Sequence, residues 1–187
     1  MLKRGLDIVG SAAGLAVLWP LLLALALLIR LDSPGPALHW SSRFGRNNQL
    51  FLMPKFRTMR LEAPDVATEA LPDPDHWITP TGRWLRRTSL DELPQLWSIL
   101  TGRMSLVGPR PALHSQDDLI ALRTRAGVHV LRPGLTGWAQ INGRDAIDLS
   151  RKVELDADYL ARQSFSFDIM VLLLTLRRAF TGRDVVH

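Results

Sequence analysis

Residues 8–29 run for 22 positions without a charged side chain, and no other feature of the chain restricts its folding so severely. At the helical rise such a run reaches roughly 33 Å, about the thickness of a bilayer's hydrocarbon core. It must meet lipid or be removed. Lys3 and Arg4 precede it and Arg30 follows, so the cytoplasmic preference of basic residues does not separate its ends. Pro20 lies inside it, deleting a backbone hydrogen bond and crowding the preceding turn, which predicts a kink. Three arrangements satisfy these facts. The run dips into one leaflet and returns, or it spans the bilayer, or it is a signal peptide cut near the small-x-small site Ala24-Leu25-Ala26. A kink with basic residues at both ends favours the first. Residues 1–31 therefore read as a re-entrant membrane helix and 32–187 as a second unit.

At 187 residues the chain holds one core of ordinary size, and no internal repeat or long low-complexity linker divides it further. The absence of cysteine excludes disulfides, thiol chemistry and cysteine-based zinc sites. A formal charge of +5 favours anionic partners: phospholipid head groups, nucleic acid or phosphorylated substrates. Charge alone does not choose among them.

After the apolar run, Asp32-Ser33-Pro34-Gly35-Pro36 ends the helix. Residues 37–42 and 49–59 read as strands joined hairpin-fashion by residues 43–48. Residues 62–75, with three prolines among acids, read as a surface loop. Residues 82–101 are helical in pattern, interrupted around Ser89 and restarted near Pro94. Gly/Pro-rich stretches follow at 108–111 and 132–144, and residues 151–163 again look helical. The final apolar stretch, 169–176, is too short to span a bilayer. Followed by Arg177 and Arg178, it fits either an amphipathic interfacial helix or a plain core helix.

The densest chemistry lies in Arg83-Trp84-Leu85-Arg86-Arg87-Thr88-Ser89-Leu90-Asp91-Glu92-Leu93-Pro94-Gln95. Ser89-x-x-Glu92 has the form of a helix capping box. Pro94, however, has no N–H to give Leu90, so a regular helix from Ser89 would be defective. If Pro94 opens the helix, Asp91 and Glu92 stand at its mouth, where free N–H groups favour ionised carboxylates and phosphate. An ionised aspartate can attack phosphorus. Positive charge for a transferring phosphoryl group is available from Lys55 and Arg57, two apart on a strand, and from Arg110, held between Pro109 and Pro111. Gly134 to Gln140 and Asn142-Gly143-Arg144 fit a nucleoside or sugar contact, or a tight loop that packs Trp138 into the core. Glu154, Asp156, Asp158 and Tyr159 fall on a helix and read as a wet face. None of the five histidines has metal-ligand spacing.

These pieces, in this order, resemble the bacterial sugar transferase family of monotopic phosphoglycosyl transferases, in its minimal catalytic form. The resemblance rests on the helix with Pro20, Ser33-Pro34-Gly35-Pro36, Lys55-Phe56-Arg57-Thr58-Met59 and Ser89 to Gln95. It continues through Met104 to Pro111 and Arg132 to Gln140. It implies an α/β fold: a kinked re-entrant helix, then a small membrane-associated α/β catalytic domain with amphipathic interfacial helices, on the cytoplasmic face of the bacterial inner membrane. The implied reaction is Mg²⁺-dependent. Asp91 attacks the sugar-bearing phosphate of a UDP-sugar, UMP leaves, and the covalent phosphosugar passes to polyprenyl (undecaprenyl) phosphate as a first membrane step of glycoconjugate synthesis. Asp91 and Glu92 are implied as catalytic and metal-binding, with Glu92 acting through the metal or on the carrier's proton. Lys55, Arg57, Arg87, Gln95, Arg110, Arg144 and Asp156 are implied as substrate-binding. Arg103, where the family has an acid, and Ser98, where it has Asn, depart from the pattern. A homodimer is compatible with the apolar surfaces. The competing readings are a non-catalytic membrane scaffold and, with no recognisable motif to support it, a nucleic-acid binder.

Overall fold

The computed structural model of the protein describes residues 2–64, 71, 73–143 and 147–181. Helix α1 (Leu2–Asp32) contains the whole apolar run and extends past it at both ends, with Pro20 inside. It is the one helix among the described residues long and apolar enough to cross a membrane. Most of its large apolar side chains, including Val9, Val17, Trp19, Leu23, Leu27 and Leu31, are exposed. The chain leaves it where Ser33 N–H closes the last turn on the Ile29 carbonyl.

The expected hairpin is present as β1 (Leu38–Phe44) and β2 (Leu50–Phe56), antiparallel with Leu38 opposite Phe56 and Phe44 opposite Leu50. β4 (Ala112–Leu113) joins the free edge of β1, giving the order β2-β1-β4. A separate parallel pair forms between β3 (Ser105–Val107) and β5 (Gly134–Thr136). In it the two Gly/Pro-rich stretches meet backbone to backbone. A Cβ on Gly134 would lie 2.1 Å from Gly108 N, and one on Gly137 would lie 2.1 Å from Gly108 O. These glycines serve chain-to-chain approach inside the fold.

The helices are α2 (Pro74–Trp77), α3 (Pro80–Thr88), α4 (Gln95–Leu100), α5 (Asp117–Arg125), α6 (Trp138–Ile141), α7 (Leu149–Arg162) and α8 (Phe165–Thr181). α3 starts where Thr79 caps Gly82 N–H and Pro80 occupies the first turn, a position that needs no donor. α7 starts at the Asp148 cap on Arg151. Trp138 packs against the cluster of Val107, Val128, Leu131, Tyr159, Phe167 and Val171, with its ring 5.2 Å from that of Phe167. The core-packing alternative for this tryptophan is the one realised. On α7, Glu154 is exposed as expected, but Asp156 and Tyr159 are buried. The wet-face reading fails for those two because they face α5 and α8, which carry their hydrogen-bond partners.

Both ends of α1 are bound to the same body. Near its start, Lys3 Nζ donates to Asp168 (2.8 Å), the Val107 carbonyl (2.9 Å) and the Tyr159 hydroxyl (3.1 Å). Arg4 donates to the Ile99 and Leu100 carbonyls at the end of α4, and buried Asp7 accepts from Ser105 Oγ and Leu106 N–H. Near its end, Leu25 and Ile29 pack with Phe56 and Leu85, and Asp32 accepts from Thr81 N–H. Between these points Leu15 and Leu18 pack on Met53, Leu96, Ile99 and Met104. Cutting the chain near Ala26 would strip Phe56 and Leu85 of Leu25.

Candidate active site

Asp91 and Glu92 lie in a single 3-10 turn, Leu90–Glu92, between α3 and α4. Its origin is local. α3 stops at Thr88, Ser89 turns left-handed (φ 56°) with no side-chain cap, and Pro94 stands immediately before α4. The capping-box reading of Ser89 is therefore not realised. The restart at Pro94 is realised. Leu93, Leu96 and Trp97 N–H groups donate to the Leu90, Leu93 and Pro94 carbonyls, because a 3-10 turn running into a short helix satisfies them internally. Side chains bring positive charge to the pair.

Those side chains converge on Glu92. Lys55, one residue from the end of β2, donates to Glu92 Oε1 at 3.0 Å, and Arg110 Nη2 reaches the same oxygen at 2.8 Å. Burial opposes ionisation of Glu92, yet the charges and hydrogen bonds of Arg110 and Lys55 hold its carboxyl far below the ordinary carboxylate range. Lys55 is itself pushed down from the usual lysine value by burial, against the pull of Glu92. Asp91 differs. Lys55 Nζ is 4.0 Å from its Oδ2, beyond hydrogen-bond length. Burial raises its pKa, and the charge of Glu92 acts in the same direction; Lys55, Arg86 and Arg110 act against them. Two adjacent carboxylates thus occupy different environments: Glu92 is clamped and firmly ionised, while Asp91 is the more basic and keeps its oxygens clear of hydrogen-bonded cations. Such a split is how neighbouring acids acquire separate roles.

The other expected residues are distributed around this pair. Gln95 is buried in the first turn of α4, and Arg87 is exposed on α3. Arg57 turns away: its guanidinium is buried and donates to the Ser33 carbonyl at 2.7 Å and the Pro34 carbonyl at 2.5 Å, just beyond α1. Asp156 forms a buried pair with Arg123, whose Nε and Nη2 meet its Oδ2 at 2.9 and 2.6 Å. Arg144 lies outside the described residues. Arg86 had not been singled out, although its charge acts on Asp91 and its Nε donates to Thr58 Oγ1 at 2.9 Å. The sequence signal for it is its place in the arginine run Arg83-Trp84-Leu85-Arg86-Arg87 just ahead of Asp91. Arg123 and Arg43 were also missed, and nothing in their sequence neighbourhoods marks them.

An acid pair, Asp91 buried and Glu92 partly so, ringed by lysine and arginine beside an apolar helix with its ends in the same body, has the chemistry of a site for phosphoryl groups near lipid. The sequence profile of bacterial sugar transferases matches residues 1–182, and the chain belongs to that family. It is 42% identical over 195 residues to an undecaprenyl-phosphate glucose phosphotransferase of Komagataeibacter xylinus, covering 97% of this chain and 36% of that one. Identity to the UDP-glucose:undecaprenyl-phosphate glucose-1-phosphate transferase of Escherichia coli (strain K12) is 39% over 191 residues, covering 98% of this chain and 41% of that one. The uncharacterized sugar transferase EpsL of Bacillus subtilis (strain 168) is 40% identical over 187 residues, with 99% of this chain and 90% of that one covered. The chain therefore spans less than half the length of the first two relatives and most of the third.

Proposed function

We propose that this protein transfers a sugar 1-phosphate from a UDP-sugar to polyprenyl phosphate and releases UMP, with Asp91 as the covalent nucleophile. The observation that carries the reading is the unequal treatment of the two acids: Glu92 is held by Lys55 and Arg110, and Asp91 is left with the higher proton affinity and unclamped oxygens. An Asp91 oxygen attacks the phosphorus that bears the sugar. The bond from that phosphorus to the UMP oxygen breaks, UMP departs, and the sugar phosphate remains on Asp91. A phosphate oxygen of the polyprenyl carrier then attacks the same phosphorus, and the Asp91 oxygen leaves as carboxylate. Lys55 and Arg110 stand where charge gathers on the transferring group. The names of the relatives, which specify undecaprenyl phosphate and UDP-glucose, support the substrate classes.

The donor set fits Mg²⁺. Glu92 Oε2 and the Asp91 oxygens are hard ligands without hydrogen-bonded cations. No group of three or more His, Cys, Asp or Glu among the described residues is placed to hold a metal ion by itself, so phosphate oxygens and water would complete the shell, as Mg²⁺ prefers. When bound, the ion neutralises charge on the diphosphate.

The binding of both ends of α1 to one body supports a helix that enters and leaves on one face, here the cytoplasmic face of the inner membrane. Its exposed apolar side chains, and those of Phe165, Met170, Leu173 and Leu176 along α8, would rest in lipid. This position suits the acceptor, since each polyprenyl CH₂ drawn into water costs about 0.8 kcal/mol.

The test is nucleotide release by the full chain in lipid with Mg²⁺, undecaprenyl phosphate and a panel of UDP-sugars. UMP is expected, absent in Asp91→Asn and suppressed by EDTA. Release of UDP would indicate ordinary glycosyl transfer and overturn the mechanism.

A further inference from the structure

Pro109 and Pro111 have no amide hydrogen, so the loop that carries Arg110 is tied down chiefly through its carbonyls. All three carbonyls are held. Gly134 N–H donates to the Pro109 carbonyl at 2.8 Å, Arg123 Nη1 to the Arg110 carbonyl at 2.7 Å, and Arg43 Nη1 to the Pro111 carbonyl at 3.4 Å. The bond to Arg110 itself is charged and short. Its donor is oriented from behind: Arg123 spends Nε and Nη2 on Asp156, and the rigid guanidinium fork leaves Nη1 directed at the carbonyl.

A buried arginine–aspartate pair is a weak source of stability, because desolvation consumes most of the Coulombic gain and an apolar pair would serve as well. Orientation explains it better. The Arg110 side chain is 44% exposed and long, yet its Nη2 must end 2.8 Å from Glu92 Oε1. Fixing its backbone from α5 and α7 removes one source of freedom. We propose that Arg123, oriented by Asp156, is a positioning residue for Arg110, and through it for the phosphate-binding end of the site. This rests on the phosphosugar-transfer reading above. It also gives Asp156 a role with two residues, Arg123 and Arg110, between it and substrate.

The test is a double-mutant cycle in UMP release from UDP-glucose, UDP-galactose and UDP-N-acetylgalactosamine, using the full chain in phospholipid nanodiscs with undecaprenyl phosphate. Arg123→Lys is expected to lower kcat/KM about tenfold when Arg110 is present and less than about twofold in an Arg110→Ala background. A structural role alone gives equal losses in both backgrounds and overturns the proposal. The paired replacement Arg123→Met with Asp156→Leu guards against misfolding, since it leaves no unpaired buried charge. It is expected to melt close to wild type while losing kcat/KM about tenfold; full activity in that variant overturns the positioning role. Wild-type protein that releases no UMP from any of the three donors overturns the phosphosugar reading, and the positioning role with it.

Discussion

Replacing Lys3 by Met tests how firmly the first turn of the apolar helix is bound to the folded body. Lys3 Nζ lies 2.8 Å from Asp168 Oδ2 and donates to the Val107 carbonyl and the Tyr159 hydroxyl as well. Asp168 is 1% exposed, whereas the Lys3 side chain retains 28% of its exposure. Removing the ammonium leaves a buried carboxylate with the Tyr159 hydroxyl still donating to it at 2.6 Å. Breaking a fully buried pair costs about 3–5 kcal/mol. The partial hydration of Lys3 and the surviving Tyr159 bond reduce this to about 2–3 kcal/mol. For a chain of this size each kcal/mol moves Tm by about 2–4 °C, so a fall of about 4–12 °C is expected. Far-UV circular dichroism during heating in nanodiscs measures it. Lys3→Met combined with Asp168→Leu should recover most of the loss, because no charge is then stranded. A fall of less than about 1 °C in the single variant would refute the argument that this contact binds the helix start.

Two further outcomes are expected. Gly82→Ala places a Cβ 2.0 Å from the Thr58 carbonyl oxygen and 2.6 Å from its carbon. The gain of about 1 kcal/mol from alanine in a helix is outweighed by overpacking against backbone, for a net loss of about 2 kcal/mol in thermal unfolding. An unchanged Tm would mean that α3 does not dock there. Because the chain has no cysteine, single replacements Gly5→Cys and Pro36→Cys report cleanly on topology. Both should react with an impermeant maleimide from the same side of sealed vesicles, and reaction from opposite sides would sink the re-entrant reading.

Local features were legible in the sequence where a single residue type dictates backbone behaviour. Pro94, lacking an N–H, announced the break that isolates Asp91 and Glu92 from any long helix, and the short β-prone stretches on either side of residues 43–48 announced the hairpin. What stayed hidden depended on partners distant in sequence. Lys55 and Arg57 look equivalent as Lys-x-Arg, yet one meets Glu92 and the other the carbonyls of Ser33 and Pro34. Asp156 and Tyr159 resemble a solvated stripe until Arg123 and Asp168 are brought to them. The glycines of 134–137 suggested room for a ligand, and the room is filled by the Gly108 backbone.

The most direct test of the central claim is a single-turnover experiment without acceptor. Purified protein mixed with Mg²⁺ and an accepted UDP-sugar, in the absence of polyprenyl phosphate, should release close to one equivalent of UMP. Its intact mass should rise by one phosphosugar, localised by peptide mapping to Asp91, and the adduct should disappear on adding undecaprenyl phosphate. Steady turnover with acceptor but neither UMP burst nor adduct without it would contradict the account, because the sugar phosphate would then pass directly from donor to carrier.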